Sequence, residues 1–145
     1  MISSDDSKSP NIARPSARMI AFYLIASAAA GLITAKVVTS AVAKSWQACD
    51  AAGPGDHLIL AVMWLPTAVA VAVWWGFVLI SSHRRFVRRI HEAIRIPLTL
   101  LLCLLGSVAA LWIMMHWLHD PGGTIVNPVC PPGNSPPWWP TWLPL

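Results

Sequence analysis

Of the 145 residues in this chain, 56% are hydrophobic and only 11% are charged, against roughly 25% charged in an ordinary soluble domain. That balance excludes a water-soluble globule, since a chain this short cannot hide so much apolar surface, and it makes lipid the solvent. The net charge of +4 does not imply nucleic acid: eight of the ten basic residues lie in two segments beside apolar runs, where they orient membrane spans.

Residues 1–17 are polar, contain Pro10 and Pro15 and show no periodicity, so a disordered tail is expected. The first apolar run, Met19 to Ala35, is extended by Val37, Val38, Ala41, Val42 and Ala43. It spans if Lys36 snorkels toward the surface. Ala41-Val42-Ala43 resembles a signal-cleavage site, but the apolar segment before it exceeds the usual ~7–15 residue core, so a retained span over about 19–43 is the expectation. Residues 44–57 hold Trp46, Cys49 and the turn signal Gly53-Pro54-Gly55. The second run, Leu58 to Ile80, is uncharged and long enough to cross a ~30 Å hydrocarbon core.

A basic segment follows. On a helical wheel Phe86, Val87, Ile90, Ala93, Ile94 and Pro97 share one face, and Arg84, Arg85, Arg88, Arg89, His91, Glu92 and Arg95 take the other. This is the pattern of an amphipathic helix on a membrane surface, expected over about 83–95, with the arginines as its basic face. Pro97 suits the first turn of a third span over about 96–118. The last 26 residues, 120–145, hold eight of the thirteen prolines and three of the nine tryptophans. An irregular, uncharged tail is expected there.

The fold class is therefore an all-α integral membrane protein: residues 18–119 as a bundle of three transmembrane helices, one interfacial helix and a Pro/Trp-rich tail. The positive-inside rule places the N-terminus and the basic segment in the cytoplasm of a cell membrane, and residues 44–57 and the tail outside. Arg outnumbers Lys seven to three, and Ala, Pro and Trp are abundant, the usage of a GC-rich bacterial genome.

Cys49 and Cys130 then share the external side, where an oxidising environment favours an intramolecular disulfide over free thiols or pairing with another chain. His57, His116, His119, Met114 and Met115 lie at one membrane depth and have the ligand chemistry for copper or haem iron. Against a metal site, Cys103, Gly106, Ser107 and Ala110 form the small face of the third span, and His116 and His119 point away from it. Small residues recur every four positions in the first two spans as well, at Ser27, Gly31 and Ala35 and at Ala68, Ala72 and Gly76, a spacing that lets helices approach closely. Trp46, Trp64, Trp112 and Trp117 form an aromatic belt.

No span contains Asp or Glu, which argues against a coupled transporter, and no nucleophile–base set, phosphate loop or carboxylate pair is legible. The expected function is non-enzymatic: an accessory or structural membrane protein without a cofactor, in contact with the bilayer and with a membrane-protein partner or a second copy. Trp138, Trp139 and Trp142 are the expected contact residues, either folded back onto the outer leaflet or docked in a partner's groove. The alternative is an outer-leaflet copper or haem carrier using the histidines and methionines named above.

Overall fold

The computed structural model describes residues 16–50, 53, 55–86, 92–119, 130 and 135–145, apart from the side chains of Asp56, Arg84, Arg85, Phe86 and Glu92. Three α-helices follow one another: α1 (Ala17–Ala48), α2 (Asp56–Phe86) and α3 (Glu92–Leu118). Each is long and apolar enough to cross a membrane, and no strand occurs among the described residues. At most 22% of the most apolar stretch of any helix is buried inside the chain. The outer faces, with Phe22, Ile25, Ile33, Val73 and Phe77 all exposed, must therefore be solvated by lipid or by another protein.

Ser16 caps α1, its hydroxyl accepting from the Met19 amide at 3.3 Å. At the other end Cys49 closes the helix and Asp50 adopts a left-handed conformation with φ 48°, which an aspartate tolerates better than most residues. Several polar side chains within the helices bond to their own helix's backbone, whereas the buried Ser45 hydroxyl has no partner among the described residues. Ser27 donates to the Tyr23 carbonyl, Thr39 to Ala35, Thr67 to Met63 and Thr99 to Arg95, as a medium without water requires.

Helices α1 and α2 share the largest interface, and α3 packs more sparsely on both. The small-residue spacing explains the difference. Ser27, Gly31 and Ala35 are buried in one row on α1, and a Cβ on Gly31 would collide with the Ala68 carbonyl oxygen and lie 2.9 Å from the Ala72 Cβ. Only glycine admits that backbone approach. On α3 the expected small face does face inward: Cys103 is fully buried, and a Cβ on Gly106 would strike the indole of Trp74.

The helices overrun the expected spans. Residues 83–86 complete α2, and residues 92–95 open α3. Of the amphipathic helix anticipated over 83–95, residues 87–91 lie outside the described residues. Because α3 starts at Glu92, Pro97 falls in its second turn rather than its first.

Candidate functional site

The packed core sits at one end of the bundle, where Val42, Trp46, Leu60 and Met115 are buried together. This is the end at which α1 and α3 finish and α2 begins. The last carbonyls of α3 are met there by side chains, in addition to the His119 backbone N–H, which donates to the Met115 carbonyl at 2.9 Å. The Trp46 indole N–H donates to the Leu118 carbonyl, and the His119 Nδ1 lies 3.0 Å from the Met115 carbonyl. A carbonyl can only accept, so that nitrogen carries its proton in this contact.

The C-terminal residues fold onto the same end. Two short turns, closed by Trp139 N–H to Pro136 O and Leu143 N–H to Pro140 O, are joined by the Trp139 indole donating to the Leu143 carbonyl at 2.9 Å. Trp139 and Leu145 pack on the core cluster, and Pro136 is fully buried. Trp112 of α3 donates to the Pro144 carbonyl at 3.1 Å. Cys49 and Cys130 are joined in a disulfide with their Cα atoms 5.4 Å apart, closing a loop over 81 residues. The tail is thus fastened both covalently and by indole hydrogen bonds. Proline suits this role, because it has little conformational entropy to lose.

The three tryptophans expected to meet a partner divide in function. Trp139 is committed to the core, whereas Trp138 is 47% and Trp142 80% exposed.

The histidines and methionines differ in their surroundings. Met115 is fully buried in the core, Met114 is half-buried, and His57 is exposed at the start of α2. His116 stacks on Trp112 with ring centroids 5.7 Å apart. Among the described residues no group of three His, Cys, Asp or Glu is placed to hold a metal ion. At the opposite end, Arg95 lines a cavity of about 170 Å³ with Tyr23, Ser82, His83 and Thr99. Arg84 and Arg85 lie in the last turn of α2, and Arg88 and Arg89 fall outside the described residues.

A polar node in mid-bundle had no counterpart in the sequence reading. The Ser107 hydroxyl of α3 accepts from Thr34 of α1 at 3.3 Å and from the Trp75 indole of α2 at 3.1 Å, while lying 3.4 Å from the Cys103 carbonyl. The neighbouring Trp74 donates to the Leu102 carbonyl at 3.0 Å. The signal was present: an indole N–H far from either end of an apolar run must find an acceptor, and Trp74 and Trp75 are such a pair.

No protein-family model, curated protein or solved structure matches this chain.

Proposed function

We propose that the chain is a non-enzymatic accessory or structural protein of the cell membrane, with its N-terminus and basic segment cytoplasmic and its disulfide-tethered tail outside. Its role in this reading is to present the folded tail to a neighbouring membrane protein or a second copy. The docked tail carries the proposal. Its backbone is held by Trp112, Trp139 and the disulfide, yet Trp142 is left 80% exposed on an uncharged turn. A held aromatic side chain loses little entropy on binding and supplies a large contact area. The basic segment supports the same orientation through its excess of arginine.

A photoreactive amino acid at position 142, compared with one at the outward-facing Val73, tests this in native membranes. Position 142 should give one discrete protein adduct, and an adduct at twice 15.8 kDa would identify the partner as a second copy. Lipid adducts alone at position 142 would overturn the reading.

A further inference from the structure

Two open grooves flank one stretch of α1, and both are walled by tryptophan. The first, of about 560 Å³, is lined by Lys36, Val37, Ser40, Ala41 and Lys44 of α1 and by Trp138 of the tail. The second, of about 420 Å³, runs between α1 and α2 and shares Lys36 and Ser40, with Trp64 on its far side. Lys36 thus stands between two indoles, with the Ser40 hydroxyl one turn above it and Lys44 one turn higher again. Among the described residues no Asp or Glu lines either groove, and neither lysine makes an ion pair with a described residue.

Depth gives this ladder its meaning. At ~1.5 Å per residue, Arg18 and Lys36 are about 27 Å apart along α1, and Arg95 and His116 about 31 Å apart along α3. Each distance is close to a hydrocarbon core of ~30 Å. The contacts of Thr34 with Ser107 and of Trp46 with Leu118 set Lys36 about level with Ala109, roughly 10 Å inward of His116. A hydrocarbon end at His116 therefore requires Lys36 to extend its ammonium along α1 toward Ser40 and Lys44, and Lys44 stands about 12 Å further out. The rest of each lining is mainly aliphatic and aromatic.

We propose that these grooves bind one anionic glycerophospholipid of the tail-side leaflet, with its phosphate over Lys36, Ser40 and Lys44 and its acyl chains along the walls made by Trp138 and Trp64. Two cations in grooves with no carboxylate among their described lining residues select against the ammonium of a zwitterionic headgroup, so the preference is for net negative charge. Each lysine is expected to contribute roughly fivefold, from the ~1 kcal/mol of a basic residue beside anionic lipid. This site goes beyond the presentation of Trp142 and does not depend on it.

The test is native mass spectrometry of the full chain released from nanodiscs of phosphatidylglycerol or phosphatidylcholine. One phosphatidylglycerol should be retained, with a preference over phosphatidylcholine of roughly 25-fold, the product of two such contributions. Lys36→Gln with Lys44→Gln should abolish that preference, Lys36→Arg with Lys44→Arg should keep it, and Arg18→Gln with Arg95→Gln should leave it unchanged. Equal retention of both lipids, or loss of preference only in the Arg18/Arg95 variant, would overturn the site. Displacement by glycerol phosphate at millimolar concentration would mean a soluble anion instead, and also overturns it. Should the glutamine variant misfold, amine acylation of the unaltered protein decides: phosphatidylglycerol must protect Lys36 and Lys44 more than Lys8. Equal protection of all three lysines rejects the proposal.

Discussion

Two glycines illustrate how the same substitution acts differently in two places. At Gly31 an added methyl meets backbone, the Ala68 carbonyl and the Ala72 amide, so α1 and α2 must separate. At Gly106 it meets the ring of Trp74, which is 41% exposed and can swing into lipid. Gly31→Ala should cost about 1–3 kcal/mol as an overpacked contact, measured by equilibrium unfolding in mixed micelles. Gly106→Ala should fall within about 1 kcal/mol of neutral, because helix propensity returns ~0.5–1 kcal/mol against the lost Trp74 hydrogen bond. Ser107 makes a further test at this scale. Ser107→Ala strands the donors of Thr34 and Trp75, and interhelical hydrogen bonds in membranes average ~0.6 kcal/mol with a maximum near 1.7. A double-mutant cycle between Ser107→Ala and Trp75→Phe should give a coupling in that range. A coupling of zero would show that the indole finds another acceptor.

At the level of elements, the sequence made the spans and the disulfide legible for the same reason: both follow from membrane depth. Uninterrupted apolar runs define the spans, and charge asymmetry puts Cys49 and Cys130 on one side. Helix ends were less legible. The residues 83–86 and 92–95, half or more of them polar, extend α2 and α3, since a helix already formed in lipid propagates outward at low cost. The docking of residues 135–145 was not legible at all, because proline-rich sequence has no period from which to read a packing face. The disulfide sets the next prediction. A loop of this size constrains a soluble unfolded chain by about 4 kcal/mol. Here insertion of α2 and α3 already holds both cysteines at one membrane face, so most of that entropy is lost before the bond forms. Cys49→Ser should therefore barely shift global unfolding while making residues 131–145 markedly more sensitive to an externally added protease. A large fall in helix stability with the tail still protected would contradict that argument.

For the whole molecule, the polar inventory and the apolar surface lead to the same arrangement. Several described indoles and hydroxyls fasten α3 and the tail: Trp46 to Leu118, Trp112 to Pro144, and Thr34 and Trp75 to Ser107. What remains outside along the spans is aliphatic and aromatic, and the basic residues of the sequence gather mainly at one end. Four of the eight basic residues assigned to the cytoplasmic side are Arg84, Arg85, Arg88 and Arg89, within reach of the translocation bias that acts close to span ends. Reporter fusions should place residue 90 in the cytoplasm and residues 50 and 140 outside. Neutralising those four arginines together should produce a mixed population, because Lys8, Arg14, Arg18 and Arg95 still oppose Lys36 and Lys44. The inverted fraction should also lose the Cys49–Cys130 bond, since a reducing cytoplasm keeps thiols free. Orientation and disulfide content must therefore fall together in the same cells. An orientation change with the disulfide intact would show that the bond forms independently of membrane side, and a cytoplasmic signal at residue 140 of the native chain would remove the three-span arrangement itself.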